Sequence, residues 1–144
     1  MAGHPPLYTS EVLKLATELS HWPDDPALSL RGTARSATCG STLSLGLAAD
    51  GLGRITGLGI RAQACAIGQA SAALFAKVAI GRDAVNLQNT LEDLRGWLKQ
   101  GQGLPDWPGL TAIAAARDYP ARHGAITLAW EAALQALSSP AKPG

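Results

Sequence analysis

The sequence predicts an α+β domain, with a three-stranded antiparallel sheet and helices packed on one face of that sheet. The chain has 144 residues, close to the common size of one domain. Its apolar pattern begins with one helical segment, continues with three strand-like segments, and ends with helical segments only. Strands and helices that are segregated in this way are typical of the α+β class. We expect a single domain over residues 1–137 and a disordered tail over residues 138–144.

The first helix is predicted over residues 8–20. Apolar residues recur there at helical spacing, namely Val12, Leu15, Ala16 and Leu19. Thr9 or Ser10 can cap the free backbone amides at its start. Two prolines follow within residues 21–26, which predicts a loop because proline lacks an amide donor and restricts the residue before it.

Three segments have the two-residue period of strands. Residues 42–48 alternate leucine with small or polar residues, and residues 55–64 supply a returning strand. Asp50-Gly51 lies between them and favours positive φ and a tight hairpin turn. Residues 30–37 alternate less regularly, so we place this strand at an edge of the sheet.

The second half of the chain is predicted to be helical. Residues 66–80 are small or apolar with Lys77 as their one charge, which suits a helix packed closely on a sheet. Residues 84–99 carry a leucine stripe, and residues 110–117 form a short helix that ends before Pro120. A last apolar face recurs at helical spacing at Ile126, Trp130, Ala133, Leu134 and Leu137.

The overall charge and hydropathy exclude several classes. Twelve basic residues oppose eleven acidic ones, and a net charge of +1 gives no large field to attract nucleic acid. No run of 18 apolar residues and no leader pattern occurs. We therefore expect a cytoplasmic protein without nucleic-acid or membrane partners.

No enzymatic motif is found. The glycines of residues 51–57 are spaced as GxGxxxG inside the predicted hairpin, so they do not open a nucleotide-binding helix. The sequence contains no P-loop, zinc-type CxxC pair or HExxH motif. His4, His21 and His123 accompany no identifiable nucleophile, so we do not predict an enzyme.

The two cysteines are the best candidates for chemistry. Cys39 lies in a loop between two strands, and Cys65 lies where the last strand runs into a helix. Antiparallel pairing can bring these two points together at one end of the sheet. Free amides at the helix N-terminus are expected to stabilise a thiolate at Cys65. The alternative is that each cysteine is buried and only fills space.

Three segments carry a resemblance to a known family: Thr38-Cys39-Gly40-Ser41, Ala64-Cys65-Ala66-Ile67-Gly68-Gln69-Ala70-Ser71-Ala72, and Ala125-Ile126-Thr127-Leu128-Ala129-Trp130-Glu131-Ala132-Ala133-Leu134. In this order they resemble the three cysteine motifs of the NifU/IscU/SufU-like iron-sulfur cluster assembly scaffold family. The Asp50-Gly51 hairpin and Leu7-Tyr8 fit the same layout, so the resemblance spans nearly the whole chain. It implies a SufE/NifU-like fold.

The resemblance also implies a ligand set and partners. Members of the family assemble a cluster from iron and from sulfur delivered by a cysteine desulfurase, on three cysteines helped by an aspartate or a histidine. Here Ser41 stands where the family has aspartate, and Ala125 stands where it has the third cysteine. Gly124 occupies the position of the family's histidine or lysine, and His123 precedes it. The implied ligands are therefore Cys39, Cys65 and His123, with a solvated helix cap as the alternative for His123.

Three functions stay open at this point. In the first, the chain is a divergent scaffold or accessory protein that binds iron or a labile 2Fe-2S cluster, with zinc as a substitute. A homodimer would supply four thiolates to such a cluster, two from each chain. Alternatively, Cys65 accepts a persulfide from a cysteine desulfurase. In the third interpretation the chain has lost metal chemistry and keeps the fold as a binding or regulatory module.

Overall fold

A computed structural model describes residues 6–138. Its helices and strands follow the chain in this order: α1 (Ser10–Glu18), β1 (Leu30–Arg35), β2 (Thr42–Ala49), β3 (Ile55–Gln63), α2 (Ala66–Val78), α3 (Ala84–Gln100), α4 (His123–Ile126) and α5 (Leu128–Ser138). The predicted α+β class with a three-stranded antiparallel sheet is confirmed. Apart from Ser138, which ends α5, the predicted tail lies outside the described residues.

The sheet has the order β1-β2-β3, and both pairs are antiparallel. Leu43, Leu45 and Leu47 of β2 are buried beneath the helices, which confirms the alternation in the sequence. Helix α5 crosses β1 so closely that a Cβ at Gly32 would lie 1.9 Å from the carbonyl oxygen of Ala132. A glycine in the strand therefore permits this close approach of helix and sheet.

The β2–β3 connection is a five-residue loop, so the predicted tight turn with positive φ at Asp50-Gly51 is wrong. Ala49 pairs with Ile55, and the left-handed residue is Gly53, with φ of 79°. The Asp50 carboxylate accepts hydrogen bonds from the amides of Leu52 and Arg54, at 2.9 and 3.0 Å. These bonds close a longer loop, in which the residue with positive φ is Gly53, two residues before β3 begins.

The predicted helices are present, with shifted ends. Thr9 caps α1 by accepting a hydrogen bond from the amide of Val12 at 3.1 Å. Short 3₁₀ segments occupy Leu19–His21, Leu110–Asp118 and Pro120–Arg122, so the short helix predicted over residues 110–117 is 3₁₀ rather than α. The segment before α5 forms the separate four-residue helix α4.

Three aromatic side chains join the helical layer. Phe75 of α2 stacks on Trp107, with ring centroids 5.7 Å apart, and both rings meet the edge of Trp130 from α5. The indole N–H of Trp107 donates to the carbonyl oxygen of Leu74 at 3.0 Å, and the guanidinium of Arg82 lies over the Trp107 ring. These contacts hold α2 and α5 together on one face of the sheet.

The opposite face of the sheet is partly covered by residues 22–28. The amide of Ile60 donates to the carbonyl oxygen of Trp22 at 2.8 Å. A Cβ at Gly59 would lie 2.3 Å from the carbonyl oxygen of Pro23, and one at Gly46 would lie 2.8 Å from Cβ of Leu28. Glycines therefore let this segment lie directly on the sheet. Within residues 6–138, no helix has the length and apolar character needed to cross a membrane.

Candidate functional site

Cys39 lies at the tip of the β1–β2 hairpin, in a loop that hydrogen bonds hold in place. The amide of Ser36 donates to the carbonyl oxygen of Ser41 at 2.8 Å, and the amide of Gly40 donates to the carbonyl oxygen of Ser36 at 3.2 Å. Gly40 has φ of 71°, the left-handed region that glycine adopts without steric cost. The loop thus presents a half-buried Cys39 thiol at the end of the sheet.

Two buried serines flank the Cys39 thiol. Its Sγ lies 3.3 Å from Oγ of Ser36 and 3.1 Å from Oγ of Ser41, and each distance is within hydrogen-bonding range for sulfur. Oγ of Ser36 also contacts Oγ1 of Thr38 at 3.2 Å, and Thr38 donates to the carbonyl oxygen of Ala121. This chain of hydroxyl groups ties the cysteine loop to the segment before α4.

The pKa of the Cys39 thiol is lowered. Partial burial by itself raises this pKa, because it disfavours the charged form. Hydrogen bonds with the side chains of Ser36 and Ser41, a further bond with the backbone of Ser41 and the positive charge of Arg122 outweigh that effect. The structure therefore stabilises the thiolate form of Cys39, which is the nucleophilic and metal-binding form of cysteine.

Cys65 is the N-cap residue of α2, as the sequence predicted. Its carbonyl oxygen accepts a hydrogen bond from the amide of Gln69 at 2.9 Å, but its side chain makes no capping hydrogen bond. The half-buried thiol packs at the edge of the hydrophobic core. The hydrogen bonding that the sequence argument expected for a Cys65 thiolate is found instead around Cys39.

The sequence indicated Ser41 only as the position at which the resembling family has an aspartate, and it did not indicate Ser36. Ser36 precedes Cys39 by three residues and Ser41 follows it by two, a spacing that predicts nothing in an isolated segment. Closure of the hairpin brings both hydroxyls to the same sulfur atom. A serine on each side of a cysteine in a short loop is the one signal that could have indicated them.

Gly124 and Ala125 of α4 lie between the Cys39 loop and the first part of α2. A Cβ on Gly124 would approach Oγ of Ser36 to 2.4 Å, so this glycine packs against the Cys39 loop. Ala125 is buried, and a Cβ on Gly68 in the first part of α2 would lie 3.2 Å from Cβ of Ala125. The loop that carries Cys39 and the helix that Cys65 caps therefore both pack against the Gly124-Ala125 segment.

His123 is buried, so the interpretation as a solvated cap is wrong. Its Nε2 lies 2.8 Å from the carbonyl oxygen of Arg117, so a metal would have to bind Nδ1 or displace this bond. Among residues 6–138, no group of three or more His, Cys, Asp or Glu side chains is close enough to hold a metal ion. The described residues of one chain do not complete the four ligands of a cluster.

Solved structures with a similar fold are known. The first is the N-terminal part of a nitrogen-fixing NifU-like protein from Brucella abortus, which has a TM-score of 0.83, 26% identity and coverage of 91% of this chain and 92% of that one. This chain has the NifU-like fold. The resemblance predicted from the three sequence segments is therefore confirmed.

Two further structures share the NifU-like fold. A protein from Fervidobacterium islandicum AW-1, assigned as an iron-sulfur cluster assembly scaffold for the SUF system, has a TM-score of 0.79 and 18% identity, with coverage of 92% of this chain and 97% of that one. A hypothetical protein has a TM-score of 0.66 and 20% identity, with coverage of 89% and 97%. No protein-family model and no curated protein sequence matches the chain.

Proposed function

We propose that this chain acts in iron-sulfur cluster assembly and accepts sulfur at Cys39 from a cysteine desulfurase. The observation that carries the proposal is the Cys39 thiol, which lies within hydrogen-bonding distance of Ser36 and Ser41 and whose pKa is lowered by these contacts and by the charge of Arg122. The neighbours in structure support the process, because one is a NifU-like protein and another is assigned as a cluster assembly scaffold. Free thiols of this kind belong in a reducing compartment, so we propose a cytoplasmic location.

The transfer is a thiol exchange. The Cys39 thiolate attacks the terminal sulfur of the persulfide on the desulfurase, which forms a new sulfur-sulfur bond at Cys39. The bond between the two sulfur atoms of the enzyme's persulfide breaks, and the enzyme's cysteine leaves as a thiolate. No oxidant or reductant is consumed. Ser36 and Ser41 contribute by favouring the ionised form of the attacking sulfur, and in this step the chain is a substrate of the desulfurase, not an enzyme.

Sulfur acceptance suits the residues at the site better than stable cluster binding by one chain. Ser41 provides a hydroxyl where the family has a carboxylate, and Ala125 provides no ligand. A persulfide needs only one reactive thiol, whereas a cluster needs about four protein ligands.

The test is incubation with a cysteine desulfurase and cysteine, followed by mass spectrometry of the intact chain. We expect one added sulfur atom on wild-type protein and on Cys65→Ala, and none on Cys39→Ala. The two alanine variants serve as matched controls for each other, because both thiols are half-buried at the same end of the fold. If the added sulfur persists in Cys39→Ala and disappears in Cys65→Ala, the acceptor is Cys65 and the proposal for Cys39 is wrong.

A second candidate is the binding of iron or a labile 2Fe-2S cluster by Cys39 and Cys65, with zinc as a substitute. The observation in its favour is that both thiols are partly exposed, and that the Cys39 loop and the helix that Cys65 caps both pack against the Gly124-Ala125 segment. Two copies of the chain would supply four thiolates, and His123 stays a predicted additional ligand. Anaerobic reconstitution with iron, sulfide and reductant tests it. We expect visible charge-transfer absorption on a dimer, and the same spectrum from Cys65→Ser would exclude this candidate.

A further inference from the structure

The face of the sheet that points away from the helices is only partly covered by other parts of the chain. Residues 22–28 lie over the glycines of β2 and β3, where Gly46 and Gly59 permit close contact. Beyond this segment the face is open, and the open part is the end that leads to Cys39 and Cys65. We call this part the open groove.

The open groove has a volume of about 600 Å³. Its floor consists of two rows of residues that pair across the three strands. One row is Arg35, Thr42 and Gln63, and the other is Thr33, Ser44 and Arg61. Side chains at such positions project from the same face of a sheet. All of these six side chains are polar or basic, and the groove has no acidic lining residue.

The charge of the open groove is positive and uncompensated. Arg35 and Arg61 are exposed, and neither makes an ion pair with another residue of the described range 6–138. The charge of Arg61 interacts with the Asp24 carboxylate, but this carboxylate forms its ion pair with Arg31, at 2.8 Å. The groove therefore presents two free guanidinium groups above a row of hydroxyl groups.

The open groove adjoins the reactive thiol. Thr42 directly follows Ser41, whose hydroxyl contacts Sγ of Cys39 at 3.1 Å. On the other strand, Gln63 lies two residues before Cys65. A chain segment bound in the groove would therefore end beside the cysteines.

We propose that the open groove is the docking surface for an acidic segment of the cysteine desulfurase, an inference that rests on the proposed sulfur transfer. Guanidinium groups bind carboxylates through charge-assisted and often bidentate hydrogen bonds. The hydroxyls of Thr33, Thr42 and Ser44 add donors for the same oxygens. A second copy of the chain is a poor occupant, because a symmetric contact through this face would bring arginines together.

The experiment measures the affinity of the desulfurase for Arg35→Glu, Arg61→Glu and the control Lys14→Glu. Lys14 is exposed on α1, outside the groove, and its variant carries the same change in charge. We expect each arginine variant to bind roughly tenfold more weakly at low salt, with a difference that shrinks as salt rises, and Lys14→Glu to bind like wild type. Wild-type affinity of both arginine variants, or an equal loss in Lys14→Glu, would overturn the docking surface.

Two further measurements separate this inference from the proposed function. At saturating desulfurase, Arg35→Glu and Arg61→Glu should still acquire sulfur at Cys39, because the thiol and its two serines are intact. A wild-type chain that binds the desulfurase through the arginines but never acquires sulfur would disprove the transfer and keep the surface. Arginine variants that lose affinity for a single-stranded oligonucleotide, but none for the desulfurase, would disprove the surface.

Discussion

The Sγ of Cys39 lies 3.1 Å from the Oγ of Ser41, the residue that stands where the resembling scaffold family has an aspartate. A serine hydroxyl can donate a hydrogen bond to a thiolate, whereas an ionised carboxylate next to a thiolate would repel it. Ser41 therefore favours the nucleophilic form of the neighbouring cysteine, which a carboxylate at this position would not do.

The first prediction concerns the hydroxyl groups around Cys39. Ser41→Ala and Ser36→Ala each remove a hydrogen bond that lowers the thiol pKa, so this pKa should rise in both variants. At neutral pH the thiolate fraction falls, and alkylation of Cys39 by iodoacetamide should slow roughly several-fold. Rates measured from acid to alkaline pH should rise later in the variants and meet the wild-type rate once the thiol is fully ionised.

The control for this prediction is Ser20→Ala, since Ser20 is exposed and lies in the 3₁₀ turn after α1. All rates should be measured on a Cys65→Ser background, so that one thiol reacts. An alkylation profile of Ser41→Ala that coincides with that of Ser20→Ala would contradict the role of the hydroxyl.

The second prediction concerns the charge of Arg122. Its guanidinium stabilises the Cys39 thiolate through space, so Arg122→Gln should raise the thiol pKa and slow alkylation at neutral pH. Because a charge effect is screened by ions, the difference from wild type should shrink between low and high salt. The serine variants should keep their difference at high salt. A salt-independent effect of Arg122→Gln would indicate a change in structure instead of a charge effect.

The third prediction concerns the missing ligands. Ser41→Asp with Ala125→Cys restores the two groups that the resembling family has at these positions, next to the unchanged Cys39 and Cys65. After anaerobic reconstitution, the double variant should show visible charge-transfer absorption that survives gel filtration and a mild chelator. The wild-type chain should lose any such absorption under the same treatment, because it offers fewer ligands.

A necessary control for this variant is its stability. Ala125 is 1% exposed, and the small added volume of a cysteine must fit beside Gly68. The urea midpoint of the apo variant should therefore be measured first. A folded double variant that loses its visible absorption as fast as wild type would show that position 125 is not equivalent to the family's third cysteine.

The fourth prediction concerns the packing of Gly124 against the Cys39 loop. A methyl group at Gly124 would lie 2.4 Å from Oγ of Ser36, so Gly124→Ala must displace this serine or the turn. We expect a loss of about 1–3 kcal/mol in the free energy of unfolding, the usual cost of overpacking, although alanine is the better helix former. Urea denaturation measures it.

Gly51→Ala is the matched control. No heavy atom lies within 4 Å of a Cβ at Gly51, and the backbone there does not need positive φ. Its free energy of unfolding should change by less than about 0.5 kcal/mol. Equal stability of the two variants would contradict the close packing of Gly124 on the cysteine loop.

The sequence alone was sufficient for the α+β class, for the location of β2 and β3 and for the start of α1. These features depend on local periodicity and capping, as in the alternating leucines of β2 and the Thr9 cap. The β2–β3 loop was predicted with the wrong length, because the side chain of Asp50 bonds amides two and four residues ahead. Such competition between side chain and backbone is not visible in a dipeptide pattern.

For the site, the sequence by itself determined which thiols exist, and its resemblance to the scaffold family predicts that Ser41 and Ala125 stand at two of that family's ligand positions. Only the tertiary structure brings together the groups that lower the pKa of Cys39, namely Ser36, Ser41 and Arg122. Hairpin closure brings the two serines to its sulfur, and Arg122 lies in the 3₁₀ segment Pro120–Arg122 just before α4. Electrostatic and hydrogen-bond effects of this kind act over a few ångströms in space, and residues that are distant along the chain meet only after folding.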